Sequence, residues 1–185
     1  RLNATGASNT ALGSSALDAN TTGGSNVAVG AGALDANTTA GENVAIGSDC
    51  MTDNTTGALN VAVGREALAN NTTAGENTAI GSLALYTNTT GSSNVAVGHD
   101  AARLNTTGIN LVAVGVDALR TNTTGSHNTA CGDDALYAVT TGDYNVALGK
   151  NAGQSITTGT NNIMLGKDSG VTGSPGGAIT TGSNT

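Results

Sequence analysis

The chain has 185 residues, of which 28 are glycine, and a formal net charge of −7 with only 10% of residues charged. Six basic groups against thirteen acidic ones leave no electrostatic footprint for nucleic acid or for an anionic membrane surface, and no apolar run approaches the ~18 residues of a membrane insertion. Three tyrosines are the only aromatics, which excludes an ordinary globular core, and so much Gly, Asn and Thr would read as disorder if it were not strictly periodic.

Gly13, Gly30, Gly47, Gly64, Gly81, Gly98, Gly115, Gly132, Gly149 and Gly166 follow one another at intervals of 17 residues without an insertion. A unit this short cannot bury its own apolar face and must stack on its neighbours. The expected fold is therefore all-β: a parallel β-solenoid, or β-roll, of 17-residue turns, with residues 1–166 forming a ten-turn array. Within each unit Asn26-Val27-Ala28-Val29-Gly30 typifies a short β-rich run closed by glycine, and no helical period extends beyond it. Copies stacked about 4.8 Å apart would make a rod of roughly 48 Å.

The strand has two faces. The mostly β-branched columns of Val27, Val44, Val61 and of Val29, Ile46, Val63 suit a packed interior. Alanine recurs opposite them from Ala11 to Ala147 until Met164 breaks the series. That implies a close neighbour, either another side of the same coil or another chain. A further apolar column, Leu17, Leu34, Met51, Leu68, Leu85, Leu119 and Leu136, is expected to close the core from a second short strand. Ala102, Gly153 and Gly170 in that column predict a core that thins towards the carboxyl end.

Asn26, Asn43, Asn60, Asn77, Asn94, Asn128 and Asn145 precede their strands and read as a structural ladder of stacked amides, with Leu111 the exception. The strand-closing glycines and a second series, including Gly23, Gly57 and Gly91, are expected at corners with positive φ. In Ala40-Gly41-Glu42 and Ala74-Gly75-Glu76 this second glycine slides one place, which predicts a differently shaped corner. Asn-Thr-Thr recurs seven times, from Asn20 to Asn122. Each copy is formally a glycosylation sequon, yet glycans on adjacent turns would collide, and a structural turn explains the spacing. The Thr22, Thr39, Thr56 series makes a hydroxyl array, from which an ice-binding solenoid is a minor alternative.

Acidic residues recur two places after the glycine, at Asp49, Glu66, Asp100, Asp117, Asp134 and Asp168. Such a column is expected to be solvated at an edge or neutralised by a cation. Cys50 and Cys131 stand too far apart along the rod to form a disulfide, and both read as small core fillers. His99 and His127 occupy non-equivalent places and read as surface substitutions. No triad, carboxylate pair or metal-ligand set stands out, so no catalysis, cofactor or metal is expected.

The unit Asn-Thr-Thr-Gly-Ser-x-Asn-x-Ala-x-Gly-x-x-Ala-Leu, seen from Asn122 to Leu136, resembles fibre repeats of phages and marine bacteria. Those repeats are often followed by an endosialidase-type chaperone, and the Asn-x-Ala-x-Gly core is similar to the heads of YadA-like trimeric autotransporter adhesins. The resemblance covers most of the chain. It implies a left-handed, homotrimeric β-roll in an extracellular, cell-surface or virion attachment protein.

Single-copy features remain. Residues 167–179 break the register with a Gly/Pro-rich insertion around Pro175, and residues 180–185 resume a repeat, as in a fragment of a longer chain. Pro175 is a candidate surface contact for that reason. Tyr137 and Tyr144 flank the turn at Val139, where the asparagine is missing, and together would form an aromatic patch able to touch a cell-surface glycan. The functional expectation is a structural or adhesive fibre segment that spaces or presents a host-surface binding site. The alternative is an extracellular filament or matrix protein that polymerises end to end through open sheet edges.

Overall fold

The computed structural model describes residues 5–171; residues 172–179 of the predicted insertion, Pro175 among them, and the resumed repeat at 180–185 lie outside the described residues. Ten three-residue strands run from β1 (Thr10–Leu12) and β2 (Val27–Val29) at 17-residue intervals to β10 (Ile163–Leu165). They pair in parallel, in sequence order, in one sheet. Val27 faces Val44, and Val44 faces Val61. The chain is thus a β-solenoid of 17-residue turns, as the glycine spacing requires. No helix among the described residues is long and apolar enough to cross a membrane.

Bonding between turns is not confined to the strands. Val27 N–H donates to Asn43 O at 2.8 Å, Leu34 N–H to Cys50 O at 3.0 Å, Thr38 N–H to Thr55 O at 3.2 Å and Glu42 N–H to Gly24 O at 3.0 Å. Every stretch of the turn therefore carries hydrogen bonds to the next or the preceding turn, which accounts for backbone groups that three-residue strands alone would leave unpaired.

The two strand faces are the reverse of the sequence expectation. Ala28, Ala45, Ala62, Ala79 and their successors are fully buried, whereas the β-branched columns point outward, with Ile46 40% exposed and Leu148 43% exposed. The alanines lie against another side of the same coil. A coil of 17 residues encloses too little volume for branched side chains on both walls. Leucines enter from the opposite wall, and only a methyl group fits beneath the sheet.

That opposite wall is a turn rather than a second strand. Ala33 and Leu34, neighbours in sequence, are both fully buried, which alternating strand geometry forbids. Leu34 has φ 52°, and Leu17, Leu68, Leu85, Leu119 and Leu136 fall between 51° and 54°. The left-handed conformation costs a leucine about 1–2 kcal/mol. Burying its side chain contributes about 1.5–3 kcal/mol, so packing prevails.

The core does not thin where Leu is missing. A Cβ on Gly153 would sit 2.6 Å from Met164 Cε and 2.8 Å from Leu136 Cδ2. Met164, in place of the strand alanine, and Ile156, in place of the sequon asparagine, are both buried. The turn with Ala102 likewise carries the buried Leu111.

The strand-closing glycines adopt positive φ, as at Gly64 with 140°. The second series does not. At Gly57 the constraint is proximity, since a Cβ would meet Ala74 O at 2.1 Å. At Gly41 and Gly75 the crowding comes from the preceding turn instead, through Gly24 O and Ala58 O. The corner itself is unchanged there, against the expectation of a different shape: Glu42 and Glu76 adopt φ 61° and 63° where Ser25 and Leu59 adopt 59° and 63°, and all four N–H groups donate to the preceding turn.

Candidate functional site

Most of the polar repertoire is structural. Asn43 N–H donates to Asn26 Oδ1 at 3.0 Å, and its Nδ2 donates to Gly57 O at 2.9 Å. Asn60, Asn77 and Asn94 repeat this pattern. Asn128 donates to Gly142 O, and Asn145 N–H donates to Asn128 Oδ1. At the exception, Leu111 N–H still donates to Asn94 Oδ1 at 2.9 Å.

A second ladder runs through the sequon asparagines, which the sequence reading treated only as turn residues. Asn54 Nδ2 donates to Asn37 Oδ1 at 3.2 Å and to Gly57 O at 2.9 Å. Asn71 Nδ2 does the same with Asn54 Oδ1 at 2.8 Å and Ala74 O at 2.9 Å. The two ladders meet at one carbonyl per turn, for Gly57 O accepts from both Asn43 and Asn54. Both lone pairs of that oxygen are thereby used. The ladder stops at Asn122, whose Oδ1 is buried without a partner, because Val139 occupies the next place.

The two threonines of each Asn-Thr-Thr differ in what they meet. Thr38 Oγ1 donates to Thr55 O and Thr55 Oγ1 to Thr72 O, while Thr39, Thr56 and Thr73 stand exposed.

Against this background one group of side chains is distinct. Tyr86, Arg103, Arg120 and Tyr137 occupy the same place on four consecutive turns. The Arg103 guanidinium lies 5.9 Å from the Tyr86 ring centre and that of Arg120 lies 5.8 Å from the Tyr137 ring centre, within cation–π range. Arg120 also donates to Tyr137 Oη at 2.9 Å. Asp100 is 5% exposed, the one buried member of an acidic column whose other members, Asp49 among them, reach solvent. Its Oδ2 lies 3.6 Å from Arg103 and 3.4 Å from Arg120, and Asp117 stands 3.2 Å from Arg120 Nε. Burial opposes the charge on Arg120, but the hydrogen bond to Tyr137 and the carboxylates outweigh it and raise its pKa. Asp134, one turn on, is shifted upward by burial and by Asp133 and Asp117.

Beside Tyr86 on the same face lies an open groove of about 280 Å³, bounded by Asp49, Thr52, Asp53, Glu66, Asn70 and Tyr86 over Ala69. Arg65 pairs with Glu66, and Ser48 donates to Asp49 at 3.0 Å.

Tyr137 and Tyr144 do not form the single patch expected of them. Tyr144 stacks on His127, with ring centres 4.7 Å apart and planes within 2°, in a different column from Tyr137. Cys50 is a core residue, as expected, and burial pushes its thiol up to about 12. Cys131 is exposed, because its column faces outward. Among the described residues no group of three His, Cys, Asp or Glu side chains is placed to hold a metal ion.

Tyr86, Arg103, Arg120 and Asp100 do not stand out as a group among their neighbours in sequence. The signal was the 17-residue spacing of the first three with Tyr137, visible once single-copy residues are aligned by column instead of by neighbourhood. No protein-family model matches the chain, and neither does any curated protein or solved structure.

Proposed function

We propose that the chain is a structural and adhesive segment of an extracellular or virion fibre, one that spaces or presents a host-surface binding site and carries out no catalysis. The observation that supports this reading is the outward stripe of Val, Ile and Leu along the sheet, with Leu12 68%, Ile46 40%, Ile80 40% and Leu148 43% exposed. A continuous apolar face of this kind marks an association surface. Self-association along it would build a thicker rod, and a homotrimer agrees with the resemblance of the repeat to phage-fibre and adhesin-head sequences. The laddered interior is committed to stiffness, which is what a spacer needs.

The test is the mass in solution by light scattering. A stable trimer that dissociates when Val63 and Val97 are both changed to Lys supports the reading. A monomer over the accessible concentration range removes the bundled fibre. Growth to concentration-dependent polymers would transfer the case to an end-to-end filament.

A further inference from the structure

We infer that the groove beside Tyr86 binds one uncharged sugar ring of a surface glycan; the inference rests on the adhesive reading above and gives it a site. The repeat is uniform except where single residues depart from it, and the departures on this face are coordinated. Tyr86 bounds the groove, and Arg103 of the next turn stands over its ring at 5.9 Å. The Arg103 guanidinium lies in turn 3.6 Å from Asp100, a carboxylate left only 5% exposed. Arg103 and Arg120 together offset the charge of that carboxylate, and Arg103 lies over the Tyr86 ring from the turn that follows it.

The neighbouring residue in the same column is Ala69; the column begins with the short Asp18, Asp35 and Thr52 and continues beyond Tyr86 with the longer Arg103, Arg120, Tyr137 and Gln154. The step from the short Thr52 and Ala69 to the large Tyr86 borders the groove of about 280 Å³.

The lining selects the ligand class. A tyrosine ring offers a flat apolar face and a polar tip, suited to the alternating C–H and hydroxyl surfaces of a pyranose. Asp53, Asp49 and Glu66 supply acceptors for hydroxyl protons, and the Asn70 amide can both donate and accept. Arg65 offsets Glu66, and no basic side chain lines the groove itself. A carboxylated or sulfated sugar would therefore be repelled by the surrounding acidic groups. The groove is shallow, so a single site is weak. A fibre that repeats it on each copy gains by multivalency.

The experiment is saturation-transfer NMR and titration of the full chain with maltotriose, cellotriose and mannotriose as uncharged probes, and with trigalacturonate and the glucosamine trimer as anionic and cationic ones. The expected result is transfer to ring protons of at least one uncharged trisaccharide. Tyr86→Ala should weaken binding by roughly three- to tenfold, the scale of one lost aromatic contact, and Ala69→Gln, which fills the groove, should abolish it. Gln already stands at the equivalent place in Gln154, so this variant should fold, as an unchanged circular dichroism spectrum would confirm. Tyr144→Ala should bind like wild type.

Preference for either charged trimer, no transfer from any uncharged probe, or indifference to Tyr86→Ala and Ala69→Gln overturns the inference. A chain that still coats host cells while both variants bind those cells as wild type does would lose this site and keep the adhesive role.

Discussion

Asn71 makes its amide serve three turns at once. Its Nδ2 donates to Asn54 Oδ1 and Ala74 O, and its Oδ1 accepts from Asn88 Nδ2. Asn71→Ala therefore strands buried partners on both sides, each worth about 1–3 kcal/mol, and should destabilise the chain by about 2–4 kcal/mol in guanidinium denaturation. Thr73→Ala, at an exposed place two residues on, should change stability by less than about 0.5 kcal/mol. Equal midpoints for the two would refute the ladder as a source of stability. At this scale the sequence was half legible. The asparagines before the strands were readable because a polar residue recurring at an apolar border needs partners, but the sequon asparagines carried a competing and more familiar meaning. The inversion of Val27 and Ala28 was not readable, because β-propensity describes how a side chain suits a pleated surface, not which face has room for it.

The turn is the next unit, and it holds together by close approach of one backbone to another. Gly64 adopts φ 140°, and a Cβ there would lie 2.5 Å from Gly81 O. Gly64→Ala should consequently prise two turns apart at a cost of at least about 3 kcal/mol, read as an earlier thermal transition in far-ultraviolet circular dichroism. If its melting curve superimposes on that of wild type, the contact is not a constraint. Strand position followed from the short apolar block before each glycine, and register from the glycine period. The left-handed leucines did not, since nothing in the residue type announces φ near 52°. Only the adjacency of two buried residues, Ala33 and Leu34, demands it. Gly57 carries the complementary lesson: a recurring glycine can mark a near neighbour as readily as an unusual dihedral.

As a whole the molecule is a one-dimensional stack in which each turn contacts its neighbours. Removing residues 82–98, one full period from Ser82 to Gly98, joins Gly81 to His99 and restores every column. This variant should fold to a shorter solenoid with the same spectrum per residue. Deleting residues 82–97 shifts the downstream columns by one place, exposing alanines and burying valines, and should fail to fold as one rod. A folded product from the shorter deletion would contradict a fixed 17-residue register. At this scale the parallel stack and its 17-residue period were legible. The Tyr86 groove was not, because it arises from residues on different turns that only the closed coil brings side by side.

The bonds that join the turns run along the rod, Val27 N–H to Asn43 O and Gly30 N–H to Leu12 O alike, and this has a mechanical meaning. Compression and bending load many turns together. Tension applied to the two chain ends instead works on the terminal turn alone, whose bonds open like a zip while the rest stay intact. Each turn released yields 17 residues of slack, about 55 Å of extended chain in place of about 4.8 Å of rod. Such a segment is stiff until it yields. It then pays out line one turn at a time, as a shock-absorbing tether does.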